Sequence, residues 1–330
     1  MRKTVSFSRH TTNVFFHILT RCNLSCRHCY INPAQHGEQT LSPDIIARWL
    51  EVFTASGGKP NLILLGGEPT LHPHLDQVVH AARSLGYGSI TIDTNGYLFH
   101  GILDKTSPEE VDYFSFSLDG ATKDTNDAIR GNGCYEACTA GIREAVHRGY
   151  AASLIYTVSR DNIHELTQMP PLLEKLGVNR FFIQVIGLRG QSAGMNSASL
   201  QVERGTWKTL IPDVARQVAD LGIAATYPKV FLEPDEQFEC AGLVADNYFI
   251  FPNGRVYRCP LCEDYPIHSL FMDHDKLSPT GKINETDLFS LQIPEGCVMN
   301  KLLQPGNLLY KDDGSPEYRI ACCMLKEEIS

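Results

Sequence analysis

No apolar run in this 330-residue sequence approaches the roughly 18 residues that a membrane-spanning helix needs. That absence argues against a membrane-embedded protein. The first ten residues, Met-Arg-Lys-Thr-Val-Ser-Phe-Ser-Arg-His, lack the apolar segment of a secretory signal, so the expected location is the cytoplasm. Basic charge is in short supply. Lys and Arg number 29 against 38 Asp and Glu, a net charge of −9, which speaks against nucleic acid or an anionic membrane as partner. Internal repeats and low-complexity tracts are missing too. What remains is a chain with 43% hydrophobic and 20% charged residues, ordinary for a folded core of one large or two smaller domains.

Cysteine is abundant instead. Eleven are present, an odd number that fits metal binding or catalysis in a reducing compartment better than a disulfide framework. Three fall together (Cys22, Cys26, Cys29), two lie mid-chain (Cys134, Cys138), and six occupy the last third (Cys240, Cys259, Cys262, Cys297, Cys322, Cys323).

Short apolar runs alternate with amphipathic ones. Strands are expected at Val14 to Leu19, Leu62 to Leu65, Ile90 to Ile92, Tyr113 to Leu118, Leu154 to Val158 and Phe181 to Ile186. Helices are expected from Ser42-Pro43-Asp44, from near Pro73, over Tyr135 to Arg148 and over His164 to Leu176. This alternation implies βαβ units and a parallel sheet. Each strand ends in a polar or glycine-bearing cluster, among them Gly66-Gly67-Glu68, Thr94-Asn95-Gly96 and Ser117-Leu118-Asp119-Gly120. Parallel β/α barrels build their sites at those carboxyl ends. The expected fold is therefore α/β, a partial (β/α)6 TIM-like barrel over residues 1–190. A linker and helix (191–229), with the helix at Thr206 to Leu221, and a small cysteine-rich α+β domain (230–330) follow.

Cys22-Asn23-Leu24-Ser25-Cys26-Arg27-His28-Cys29-Tyr30 is a C-x3-C-x2-C array in a loop after the first strand. Structural zinc normally takes four ligands, and iron–sulfur clusters also usually take four cysteines. Three cysteines leave one iron open to bind something else. With an aromatic residue after the third cysteine, the array resembles the radical S-adenosylmethionine (SAM) superfamily. The resemblance implies a 4Fe–4S cluster on Cys22, Cys26 and Cys29, whose open iron is chelated by SAM. It further implies reductive cleavage of SAM to a 5′-deoxyadenosyl radical, hydrogen abstraction from a substrate, and a reductant such as ferredoxin or flavodoxin.

Further residues extend the resemblance across Val14 to Gly190. Gly66-Gly67-Glu68-Pro69 looks like the family motif that binds the amino group of SAM. Two glycines permit close backbone approach, and Glu68 offers a carboxylate to an ammonium. Ser117 and Arg130 match residues that hold the carboxylate of the cofactor. Asn95 resembles a recurrent strand-end contact, and equally suits a turn before Gly96. His28, His72 and His74 receive no role.

In the last third, Cys240, Gly254 and Cys259 form a C-x13-G-x4-C pattern, with a hairpin at Asn253-Gly254 that sets Cys259 across from about Tyr248. The pattern resembles the SPASM and twitch extensions of the same superfamily, which bind auxiliary clusters. Cys262, Cys297, Cys322 and Cys323 are candidates to complete the set. The full SPASM run after Cys262 is absent, so one auxiliary 4Fe–4S cluster is expected, from Cys240, Cys259 and two others; zinc is the rival. Cys134 and Cys138, four apart on a helix, share a face and are read as packing residues, with hydrogen donation the alternative.

The expected substrate is a peptide or protein. A small molecule such as a sugar, nucleotide derivative or tetrapyrrole is the alternative, because the first strand begins near Val14 and leaves no room for an N-terminal recognition domain. A non-catalytic iron–sulfur or zinc protein is a third reading, opposed by the SAM-binding motifs.

Overall fold

The computed structural model describes residues 3–5, 12–55, 57–194 and 200–330. Its strands, in chain order, are β1 (Lys3–Val5), β2 (Thr12–His17), β3 (Asn61–Leu65), β4 (Ser89–Thr94), β5 (Tyr113–Ser117), β6 (Ala152–Val158), β7 (Arg180–Val185) and β8 (Ala224–Pro228). They continue with β9 (Phe231–Leu232), β10 (Asp246–Ile250), β11 (Arg255–Tyr257), β12 (Leu270–Asp273), β13 (Lys276–Pro279), β14 (Arg319–Ile320) and β15 (Lys326–Ile329). From β2 to β8 neighbours pair in parallel in chain order, the expected consequence of right-handed βαβ crossovers. The six strands expected from the sequence are β2 to β7.

Strand parity sorts the side chains. Val14 and Phe16, Leu62 and Leu64, Ile90 and Ile92, Phe114 and Phe116, Leu154 and Tyr156, and Phe181 and Ile183 are all fully buried. They form one apolar layer under the helices, and each contributes about 1.5–3 kcal/mol on burial. Their alternating neighbours line the opposite, concave face. Ser42 caps the helix Pro43–Thr54, its Oγ accepting from the Ile45 N–H at 3.4 Å.

Several elements differ from expectation. The helix after β3 begins at Leu75, behind a 3-10 turn at Pro69–Leu71. The segment after β6 is a 3-10 turn, Ile163–Gln168, and only Met169–Leu176 is α-helical. Pro170 and Pro171 lack the N–H of a helix interior but suit a first turn. The helix expected over 206–221 spans Arg204–Asp220. The linker expected from Gln191 begins as a 3-10 turn at Gly190–Gly194, and residues 195–199 of it lie outside the described residues.

The cysteine-rich third of the chain extends both edges of the parallel sheet. On one side β10 pairs in parallel with β2, setting the Phe249 ring on Phe15 at 4.6 Å, and the β10–β11 hairpin continues through β12 to β13. Phe249 faces Tyr257 in that hairpin, so Arg258, one residue before Cys259, comes opposite Tyr248. On the other side β15 pairs antiparallel with β8 and with β1. The concave face is thereby walled at both ends around a cavity of about 1250 Å³.

Candidate functional site

The cysteine loop sits at the carboxyl ends of β2 to β5, held by backbone contacts that two glycines make possible. The Gly67 N–H donates to Leu19 O at 3.1 Å and the Glu68 N–H to Arg21 O at 3.0 Å. A Cβ on Gly66 would lie 2.4 Å from Leu19 O, and one on Gly67 2.3 Å from Arg21 O. The glycine pair therefore admits the chain's own loop at closest approach. Gly190 does the same from the end of β7. Its φ of +58° and a Cβ position 2.4 Å from Cys29 O leave no room for a side chain.

Glu68 is buried at 1% exposure. Its Oε1 accepts from the Thr70 N–H (3.0 Å), Thr70 Oγ1 (2.6 Å) and Thr94 Oγ1 (2.8 Å), and its Oε2 from the Asn95 N–H (2.7 Å). Burial pushes this carboxyl up, while the donors hold it down. It braces the end of β3 against that of β4, with acceptor capacity left on Oε2. Asn95 in turn donates from Nδ2 to Asn23 Oδ1 at 2.8 Å inside the cysteine loop.

His28, to which the sequence assigns no role, is tied to Asp119. Its Nε2 lies 2.7 Å from Asp119 Oδ2, and Arg130 Nε is 2.6 Å from the same oxygen with its N–H directed off that line. The other Asp119 oxygen accepts from the Thr157 N–H at 2.7 Å. Burial pushes the Asp119 carboxyl up, but Arg130 and His28 outweigh it and hold the group down to about 2. The Arg27 N–H also donates to Ile129 O at 2.9 Å, so the loop is fastened both to Asp119 and to the helix Lys123–Arg130. His28 and Asp119 stand 91 residues apart, and no local pattern marks that partnership. His72 Nε2–H donates to Leu41 O at 2.8 Å, a packing contact.

The thiols of Cys22, Cys26 and Cys29 are free, half-buried and face the cavity together with Gly66, Gly67, Glu68, Pro69, Asn95, Ser117 and Arg130. Burial raises all three; Cys26 rises to about 12, with Arg130 pulling it partly back. Thiols crowded this way stay protonated alone and become thiolate ligands when a cation compensates their charge. Three thiols on one short loop are a donor set that an iron–sulfur cluster takes.

Cys134 and Cys138 do not line the cavity. The Cys134 thiol donates to Arg130 O at 3.4 Å and that of Cys138 to Ser117 O at 3.6 Å, while Gly96 packs against the Cys138 backbone.

The last-third cysteines gather behind Arg189. Burial raises Cys240 (to about 12), Cys297, Cys322 and Cys323, and neighbouring thiols of the set add to it at Cys240, Cys297 and Cys323, while Cys259 is raised first by its hydrogen bond with Cys262 and then by burial. Cys262, the hydrogen-bond partner of Cys259, also lies sulfur to sulfur with Met299 at 3.4 Å. Arg189 bridges the two cysteine regions. Its guanidinium lies 4.6 Å from the centre of the Tyr30 ring, donates to Pro260 O at 2.6 Å and pairs with the buried Glu263. Tyr30, directly after Cys29, hydrogen-bonds His17 Nε2 at 2.8 Å, and His17 stacks on Phe251 of the second region at 4.1 Å.

Residues 16–169 match the family model of the Radical SAM superfamily. This part of the chain belongs to that superfamily, whose cofactors are a 4Fe–4S cluster and SAM. The chain is 29% identical over 216 residues to Fe-coproporphyrin III synthase of Methanosarcina barkeri, covering 64% of this chain and 53% of that protein. It is 26% identical over 282 residues to the mycofactocin maturase of Mycobacterium ulcerans, covering 79% and 70%. It thus spans about half the length of the first. The fold is similar to that of Streptococcus suis SuiB bound to its precursor peptide SuiA, with a TM-score of 0.59 at 13% identity over 87% of this chain and 65% of that one. No helix among the described residues is long and apolar enough to cross a membrane.

Proposed function

We propose that this chain is a radical SAM enzyme in which Cys22, Cys26 and Cys29 hold a 4Fe–4S cluster with one open iron. Gly66 to Pro69, Asn95, Ser117 and Arg130 would hold SAM. When bound, the reduced cluster and SAM supply a carbon-centred radical that takes a hydrogen atom from the substrate. The observation carrying this reading is the convergence of three thiols, the Glu68 turn and Arg130 on one rim of one cavity. Asp119 keeps Arg130 oriented and His28 keeps the loop seated. Arg130 then meets the cofactor carboxylate as a fixed cation, and Oε2 of Glu68 is left to meet an ammonium group.

A second 4Fe–4S cluster on Cys240, Cys259 and two of Cys262, Cys297, Cys322 and Cys323 is the reading we favour for the last third, since these thiols lie close enough to act on one another. The substrate is proposed to be a peptide or protein side chain, supported by the names of the maturase and of the SuiB–SuiA complex. The walled cavity of about 1250 Å³ and the likeness to Fe-coproporphyrin III synthase favour a small molecule as the second reading. Ferredoxin or flavodoxin would supply the electron.

Anaerobic reconstitution tests both clusters. About eight irons per chain are expected, falling to about four when Cys22, Cys26 and Cys29 are all changed to alanine. Formation of 5′-deoxyadenosine from SAM and a reductant should fall to baseline in the same variant. Unchanged iron and unchanged 5′-deoxyadenosine would overturn the assignment.

A further inference from the structure

The proposed cofactor chemistry uses the rim of the cavity and leaves the charge on its far wall unexplained. Lys326 and Glu328 on β15 face the cavity, while Glu327 between them turns away to accept from Tyr227 at 2.7 Å. Glu328 is taken up by Arg180 at 2.8 Å. Lys326 is not taken up. Its ammonium sits 5.3 Å from the centre of the Phe182 ring, and among the described residues it has no hydrogen bond and no ion-pair partner within 4.0 Å.

Four other cations of the wall have anionic partners: Arg130 with Asp119, Arg160 with Glu203, Arg180 with Glu328 and Arg189 with Glu263. Arg204, away from Lys326 beside the Phe231 and Tyr318 rings at 6.0 and 5.8 Å, has an unpartnered buried Nε of its own. An enclosed ammonium without a counter-charge costs free energy that an incoming anion recovers. Asp93 on β4 is near enough to feel Lys326 but does not pair with it. Burial pushes the Asp93 carboxyl up to about 7, so near neutrality a large share of it carries a proton and is a donor to an anion between the two. Phe15 on β2 and Ile63 and Leu65 on β3, the strand next to that of Asp93, line the same cavity.

We propose that Lys326 binds a carboxylate of the substrate, with Asp93 opposite it and the apolar body of the substrate against Phe15, Ile63 and Leu65. The substrate class is a carboxylic acid with an apolar portion, and this rests on the reading of the cavity as the active site. The carboxylate belongs either to a small acid or to an acidic residue of a peptide. Recruiting Lys326 from β15 makes the last strand of the described chain part of the substrate wall.

The test is calorimetric binding to the full chain, reconstituted anaerobically with SAM present. One pair of probes is octanoate and octanamide. The other is a blocked tripeptide with a central glutamate and its glutamine counterpart. The charged member of at least one pair should bind about tenfold more tightly than its neutral twin. Preference in the first pair assigns the carboxylate to a small acid, and preference only in the second to a peptide. Lys326→Met should bring the ratio to about one, and Lys326→Arg should keep it. Equal binding within both pairs by the unmodified chain overturns the proposal, whether or not Lys326→Met folds. A preference that survives in folded Lys326→Met overturns it as well. Failure of the enzyme reading shows separately, as absence of 5′-deoxyadenosine while the carboxylate preference persists.

Discussion

Replacing Asp119 by asparagine removes one negative charge from a buried position and leaves the shape intact. The carboxylate is fully buried and meets Arg130, His28 and the Thr157 N–H. Breaking a buried pair by neutralising one partner costs about 3–5 kcal/mol, because the remaining charge stays desolvated. An independent magnitude comes from linkage. The carboxyl sits at about 2 in the folded chain against 3.8 for a free aspartate, and close to two units correspond to about 2.5 kcal/mol. Since the folded value is the lower one, this stability is complete above about pH 4 and drains as the pH falls through 3 toward 2. By pH 3 roughly 1 kcal/mol of it is gone. Urea unfolding of the metal-free, reduced chain at pH 7 should therefore show Asp119→Asn less stable by about 2.5–4 kcal/mol, with the gap narrowing below pH 4. The variant should also retain less iron on reconstitution, because His28 loses its anchor between two of the three cysteines. A stability difference under about 0.5 kcal/mol at pH 7 would show that the charge of Asp119 is not what holds the loop.

Gly67→Ala should keep the far-ultraviolet circular dichroism of the sheet yet lose the N-terminal cluster, because its Cβ would fall 2.3 Å from Arg21 O; about eight irons in the variant would refute this. Cys138→Ala should leave 5′-deoxyadenosine formation unchanged and cost about 1 kcal/mol in unfolding, as a packing thiol outside the cavity. Loss of turnover at full cofactor content would instead make it a hydrogen donor. Binding of the carboxylate probe should weaken as the pH rises through about 7, where Asp93 loses its proton. Lys326 on β15, Ser115 on β5 and Glu68 after β3 are the groups that face it. Asp93→Asn should flatten that calorimetric profile, and a profile unchanged by the substitution would exclude Asp93 as its origin.

What the sequence disclosed and what it withheld follow a physical divide. Strands β2 to β7 are legible because each is a short apolar run whose alternate residues are buried, and because the first crossover helix carries a start signal in Ser42-Pro43. The cysteine loop is legible because all its ligand candidates lie within eight residues. Strand β8 is not, since Ala224-Ala225-Thr226-Tyr227-Pro228 is small, polar and proline-ended, and only pairing with β7 and β15 makes it a strand. The glycine pair was legible as a place of close approach. That the approaching backbone is the chain's own Leu19 to Arg21 depends on a contact nearly fifty residues away in sequence. His28–Asp119 and Arg189–Glu263 are longer-range still, and a single charged residue in a loop carries no sign of its partner.

The same divide bears on how the last third of the chain should be understood. A cysteine-rich appendage that merely carried a second metal group would need one face to dock on. Here the segment instead pairs backbone to backbone with both edges of the parallel sheet, through β10 on β2 and β15 on β8. Two otherwise open edges are covered, which removes a route to aggregation and stiffens the strands that carry the cysteine loop and the far wall. Arg189 then locks the two cysteine regions across Tyr30 and Glu263, and Lys326 puts a charge into the cavity from the last strand. Truncation before Cys322 would consequently remove more than cluster ligands. It would expose the β8 edge and take the proposed carboxylate site with it, so loss of turnover in such a truncation is no evidence about the second cluster. Only point substitution of Cys240, Cys259 or another single thiol of that set, with iron counted in the full-length chain, separates the two roles.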